Sequence, residues 1–117
     1  MKIKLPFMPV NWNEYIDAER ANKYKAIKIK REEKLLTMLY AKGKRYTGNY
    51  PVKVTLMPHF SSLRQDLDNF RYKGLLDGIV SAGVLKNDNL KHIQKIEIEP
   101  VFDDEVCVEI EIKEIEE

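Results

Sequence analysis

Residues 52–83 read VKVTLMPHFSSLRQDLDNFRYKGLLDGIVSAG, and within them the spacing of apolar residues changes from strand-like to helix-like. Val52, Val54 and Leu56 alternate with Lys53, Thr55 and Met57, the pattern of a half-buried strand. Residues 58–65 read as irregular. Asp68 and Asn69 then open a helix over 70–82, with Phe70, Leu75, Leu76, Ile79 and Val80 apolar and Gly83 closing it. A strand followed by a helix places the chain among folds that combine a sheet with helices.

Upstream, residues 1–7 alternate loosely (Ile3, Leu5, Phe7) and meet Pro6 and Pro9, which suits a short edge strand. Asn13 is the expected helix cap. Residues 14–42 contain neither Pro nor Gly; a run this long is expected to break near Asn22, leaving a helix over 22–41. Its apolar stripe reads Tyr24, Ile27, Leu35, Leu36, Leu39 and Tyr40, flanked by Lys28 and Arg31, with Gly43 as its stop. Downstream, 84–91 forms a polar turn centred on Lys-Asn-Asp-Asn. Strands over 93–99 and 106–112 follow, joined by a hairpin loop at 100–104. The expected order is β-α-β-α-β-β: an α/β (α+β) single domain over residues 1–117, with two helices packed on one face of a mixed sheet.

The chain has 117 residues, 44% of them hydrophobic and 33% charged, with five Gly and five Pro, which excludes collagen-like and wholly disordered chains. No apolar run approaches the roughly 20 residues a bilayer-spanning helix needs, and no signal-peptide pattern is visible. The one cysteine, Cys107, excludes an internal disulfide and an all-cysteine zinc site, and it reads as buried and inert. These features lead to the expectation of a soluble, cytoplasmic protein without a membrane segment. No phosphate-cradling Gly-rich loop or nucleophile elbow is present, so no small-molecule cofactor is expected. Net charge is only +1, yet residues 1–50 hold 12 Lys and Arg against 5 Asp and Glu, while 51–117 hold 8 against 14. Such a split can give a phosphate-facing surface or simply internal attraction.

Arg64-Gln65-Asp66-Leu67-Asp68-Asn69 stands out chemically. Two carboxylates one residue apart repel unless a cation relieves them, and Mg²⁺ is one such cation. The plainer reading makes Asp68 or Asn69 a helix cap and Asp66 a solvated side chain. Asp88, in the later polar turn, would add a third oxygen donor from a separate segment, as metal-assisted phosphodiester hydrolysis needs; otherwise it is an ordinary turn aspartate.

The stretch QDLDNFRYKGLLDGIVSAGVLKNDNL resembles the RusA family of Holliday junction resolvases at Asp66, Asp68, Asn69, Asp77, Ala82, Gly83 and Asp88. The opening with Pro6, Pro9, Asn11 and Asn13 is similar too, and residues 13–20 resemble phage-encoded members. The resemblance implies a Mg²⁺-dependent endodeoxyribonuclease acting in recombination and repair. It would bind four-way DNA junctions as a homodimer and nick two opposed strands symmetrically. Asp66, Asp68 and Asp88 match the family's metal-holding catalytic carboxylates.

One position departs from the family pattern. The helix lysine expected four residues after the second Asp is Tyr72 here, and Lys73 comes next. A one-residue shift turns a helical side chain by roughly 100°, so Lys73 takes the catalytic place only if the helix starts differently. Arg71 and Arg64 are the other candidates for the cation. A helix over 69–82 would be about 20 Å long, whereas the steps from Gly83 to Asp88 extend at most about 17 Å. Asp88 therefore joins Asp68 within one chain only if the helix is shorter; otherwise it completes the site across a dimer. Arg64, Arg71, Lys30, Lys34, Lys44 and Arg45 are the expected DNA contacts. Trp12 and Tyr15 suit either base stacking or the core. His59 and His92 lack a paired metal spacing, and His59 reads as a loop histidine. Two other classes stay open: a non-catalytic branched-DNA-binding relative, and a protein adaptor using the acidic strand residues Glu109 and Glu111.

Overall fold

Strand β2 (Val52–Phe60) is the centre of the fold, and its alternation explains why. Val52, Val54 and Leu56 are fully buried against the helices, and on the opposite side Thr55 is buried while Lys53 and Met57 stay half-buried. In this computed structural model, which describes residues 1–116, β2 pairs antiparallel with β5 (Val108–Glu114) and parallel with β3 (Ile93–Ile98). Strand β1 (Lys2–Leu5) closes the far edge on β5, giving the order β1-β5-β2-β3. The two-residue strand β4 (Val101–Phe102) continues beside the end of β2.

Two sequence expectations change here. Residues 100–104 are not a hairpin loop, because β2 lies between β3 and β5, and Val101–Phe102 pairs with His59 and Phe60. Strand β2 also runs to Phe60, through residues expected to be irregular. Pro58, which has no N–H for a ladder, is tolerated because β3 ends opposite Leu56 and β4 starts opposite His59.

The chain forms three helices, not two: α1 (Trp12–Ala21), α2 (Lys23–Ala41) and α3 (Lys73–Ser81), with α1 packed against α2. The long Pro-free run breaks at Asn22, as expected, and the Asn22 side chain accepts from the Tyr24 N–H to start α2. The cap of α1 is Asn11 rather than Asn13; its side chain accepts from the Glu14 N–H at 2.9 Å. Gly43 and Gly83 adopt φ of 79° and 82° just past α2 and α3, the left-handed turn that glycine permits. Helix α3 starts three residues later than expected, because Phe70 enters the core from extended backbone. The turn at 84–91 is not wholly polar, since Val84 and Leu85 are buried. No helix among the described residues is long and apolar enough to cross a membrane.

The apolar stripe expected on α2 faces outward. Tyr24, Ile27, Leu35 and Leu39 are more than half exposed, while Ala26, Glu33, Thr37 and Ala41 are buried. The cause is close approach between helices. A Cβ on Gly78 would lie 2.4 Å from the Thr37 Cβ, and one on Gly74 would lie 3.2 Å from the Glu33 Cβ. Helix α3 therefore presents Gly-x-x-x-Gly to a row of α2 with no room for large side chains. The Thr37 hydroxyl is satisfied within its own helix by the Glu33 carbonyl at 2.8 Å.

This packing predicts that Gly78→Ala destabilises the protein by about 1–3 kcal/mol, despite the better helix propensity of Ala. Gly74→Ala should cost clearly less, because its added methyl would lie 3.2 Å from the nearest atom rather than 2.4 Å. Urea unfolding of both variants checks the order; equal midpoints would contradict close approach as the packing determinant.

Candidate active site

The segment 61–72 carries the paired aspartates, and the fold anchors it at three points. Asn69, at the end of a 3₁₀ turn over Leu67–Asn69, accepts from the Asn13 backbone N–H at 3.1 Å. Asn11 and Asn69 thus satisfy two of the free amides that open α1. Phe70 is the second anchor, inserted in the core. Arg71 is the third. Its Nη1 donates to Glu33 Oε2 at 2.9 Å and to the Val10 carbonyl at 2.8 Å, and the same Glu33 oxygen accepts from the Val10 N–H at 2.8 Å. The guanidinium carbon lies 4.1 Å from the centroid of the Tyr15 ring and 5.4 Å from that of Trp12. Both charged side chains are more than nine-tenths buried. Arg71 is therefore committed to the interior, which does not support its reading as a phosphate contact or as the catalytic cation. Tyr15 is likewise buried, whereas Trp12 keeps 43% of its surface.

Asp66 and Asp68 are exposed, and among the described residues neither has an ion-pair partner within 4.0 Å. Lys73 is the first residue of α3. Residues 70–72 precede the helix, so the helical phase expected between Asp68 and Lys73 does not apply. The Lys73 ammonium reaches Asp77 Oδ1 at 3.0 Å and Asp88 Oδ2 at 3.4 Å. Its hydrogen bond to Asp77, with a smaller contribution from Asp88, outweighs desolvation and raises its pKa, so it stays charged. Asp88 is presented by an Asx turn, in which Asn87 Oδ1 accepts from the Asp88 and Asn89 N–H groups at 2.7 and 3.0 Å. The structure thus brings Asp88, Asp77 and Lys73 together. It does not gather the Asp66, Asp68 and Asp88 oxygens within 4.8 Å of one another.

The expected DNA contacts fall in different places. Lys30 and Lys34 line a groove of about 880 Å³ between the three helices, which Trp12, Leu35 and Lys73 also line. Lys44 and Arg45 line a separate cleft of about 940 Å³ with Lys86. Arg64 is exposed in the loop ahead of Asp66.

His59 is the residue that sequence reading missed. It is not in a loop but in β2, with a side chain only 6% exposed. Its Nδ1 lies 2.9 Å from Asp103 Oδ2 and its Nε2 lies 3.0 Å from Glu109 Oε2. Burial opposes a charge on the ring, but the hydrogen bonds to Glu109 and Asp103 outweigh it and raise the His59 pKa. The available signal was the alternation Asp103, Glu105, Cys107, Glu109, which concentrates donor atoms on one side of the chain.

A family model described as endodeoxyribonuclease RusA matches residues 6–113 of the chain. A search of curated proteins found no match.

The buried pair generates a stability prediction. Arg71→Ala strands the Glu33 carboxylate and should cost about 3–5 kcal/mol. Replacing both partners, as Glu33→Leu with Arg71→Met, should recover part of that loss, the remainder being the Val10 N–H and carbonyl left without these partners. Denaturant midpoints of the single and double variants decide; a double variant as unstable as Arg71→Ala would refute a desolvation origin.

Proposed function

This chain belongs to the RusA endodeoxyribonuclease family, and from that premise we propose that it resolves four-way (Holliday) DNA junctions in recombination and repair. In this proposal a Mg²⁺-dependent homodimer makes paired symmetric nicks. The observation that carries the reading is the start of α3 at Lys73. That start sets the Lys73 ammonium 3.4 Å from Asp88 Oδ2.

The donor set suits Mg²⁺. Asp66, Asp68 and Asp88 offer hard carboxylate oxygens, and all three are exposed. Mg²⁺ keeps several of its waters, so it does not need all three as direct ligands. When bound, the ion polarises the phosphate and lowers the pKa of an attacking water. The chain's own residues do the rest. Asn69 fixes the loop bearing both aspartates against α1. Lys73 supplies positive charge where the transferring phosphoryl group gains negative charge. Lys30 and Lys34, in the groove shared with Lys73, hold the DNA backbone. Lys44, Arg45 and Arg64 extend the phosphate-binding surface, while Asp66 and Asp68 stay open to the metal.

The homodimer is supported by the apolar outer face of α2, whose Tyr24, Ile27, Leu35 and Leu39 a second copy would cover. A two-fold protein also matches a two-fold junction and places one site on each of two strands.

A non-catalytic branched-DNA-binding relative is the second reading. It is favoured by the contact of Lys73 with Asp77 and Asp88 rather than with the Asp66–Asp68 pair. Incubating a labelled synthetic junction and a matching duplex with the protein, with and without Mg²⁺, separates the two. Symmetric nicks only with Mg²⁺ support resolution; a Mg²⁺-independent shift without nicking supports the second reading.

Asp68→Asn should abolish cleavage and leave junction binding intact or tighter, since an anion near the phosphates is removed. Lys73→Ala should lose roughly a hundredfold or more in single-turnover rate with little change in binding. A rate within a few-fold of the unmodified protein would remove either residue from the mechanism. Neutralising Lys30 and Lys34 together should flatten the salt dependence of binding by roughly one to two units across all sequences. An unchanged slope would mean that this groove faces away from DNA.

A further inference from the structure

We propose that His59, Glu105 and Cys107 form a second metal site, independent of the junction-cutting reading, that takes a thiophilic divalent cation of the Zn²⁺ class. One ligand atom from each, an imidazole nitrogen, a carboxylate oxygen and the thiol sulfur, lies within 4.8 Å of the others. Metal–ligand distances of about 2.0–2.3 Å place tetrahedral ligand atoms about 3.6 Å apart, so modest side-chain torsions complete the approach.

The backbone already sets the separation. The His59 N–H donates to the Cys107 carbonyl at 3.0 Å, which locks the two residues side by side across β2 and the entry to β5. No strand has to move. Cys107 is fully buried and His59 nearly so, whereas Glu105 stands at the exposed rim. Glu105 pairs through Oε1 with Lys4 on β1 and keeps a second oxygen for a metal.

The surroundings of the ring supply an independent argument. A metal-bound histidine is oriented by a partner on its other nitrogen, most often a carboxylate or a carbonyl. His59 has a carboxylate at each nitrogen, Asp103 at Nδ1 and Glu109 at Nε2. Whichever nitrogen takes the metal, the other keeps a carboxylate that fixes the ring. The displaced carboxylate is then at hand for the fourth position. Three carboxylates around one imidazole, with Lys4 as the paired cation, also make the local charge favourable to a divalent ion.

The donor types decide the class of ion. Sulfur and imidazole select Zn²⁺-like cations, while Mg²⁺ prefers all-oxygen surroundings. Such a site would clip the connector at 103–107 to the central strand, a structural staple rather than a catalytic centre.

The test uses the full chain stripped of metal by chelation. Titration with Co²⁺ should give a thiolate-to-cobalt charge-transfer band and tetrahedral visible bands that saturate at one ion per chain. Zn²⁺ should displace the Co²⁺, and Mg²⁺ in excess should not. Cys107→Ser should lose the charge-transfer band and His59→Gln should lose one-to-one binding, while Asp68→Asn keeps both. Glu109→Gln and Asp103→Asn together should weaken Zn²⁺ binding by roughly tenfold to hundredfold. X-ray absorption on the Zn²⁺-loaded unmodified protein should show one sulfur among nitrogen and oxygen ligands, which keeps the test decisive if a variant does not fold. A shell without sulfur, no charge-transfer band, or a band that survives in Cys107→Ser would overturn the proposal.

Discussion

The buried pair of Arg71 and Glu33 is the constraint on which the rest of the structure depends. Glu33 reaches the interior from α2, Arg71 reaches it from the segment before α3, and both bind the backbone of Val10 just before α1. Tyr15 of α1 lies against the guanidinium. One ion pair therefore fixes the relative positions of all three helices and of the loop bearing Asp66 and Asp68. Burying two charges is costly, and three hydrogen bonds that converge on Arg71 Nη1 and Glu33 Oε2 offset part of that cost. Arg71 Nε is buried without a partner.

A second constraint follows from the first. Glu33 sits on the same inner row of α2 as Thr37 and Ala41, and the glycines of α3 approach that row closely. Because the row is filled by close contact, the large apolar residues of α2 are left outside. They form the uncovered face that a partner surface would be needed to bury.

The sequence showed periodicity but not always direction. The alternation of Val52, Val54 and Leu56 was read correctly, since a central strand has only one way to place it. The break at Asn22 and the stops at Gly43 and Gly83 were equally legible, because each rests on local backbone chemistry. The stripe on α2 was legible as a stripe but its outward direction was not, since apolar spacing marks a face without saying what meets it. Only Gly74 and Gly78, each 41 residues beyond the α2 residue that it meets, reveal that small residues make the contact. Phe70 fits the helical period of α3, yet it reaches the core from extended backbone because Arg71 beside it is held by Glu33. The aspartates matching the family motif were legible as a pattern of residues; that the Asp66, Asp68 and Asp88 oxygens do not gather within 4.8 Å of one another was not. His59 escaped because its partners, Asp103 and Glu109, meet it only through the pairing of β5 with β2 and the turn that follows β4.

Charge separates by face more sharply than by position in the chain. On the outer sheet surface the charges answer one another: Lys2 pairs with Glu111, Lys4 with Glu105, Lys53 with Glu97, and Lys113 again with Glu111. On α2, by contrast, Lys28 with Glu32 is the one exposed pair within 4.0 Å among the described residues, and Lys30 and Lys34 stand free of ion pairs. The basic excess of the first fifty residues is thus concentrated on the helical side, beside Lys73. The acidic excess of the remainder is distributed between the sheet, the Asp66–Asp68 loop and the turn at Asp88. Such a distribution would draw a polyanion to the helical side rather than to the self-neutralised sheet surface. Were cations bound as proposed, they would divide in the same way: exposed carboxylate oxygens would suit a hard, hydrated ion, and the buried imidazole and thiol at the sheet a thiophilic one.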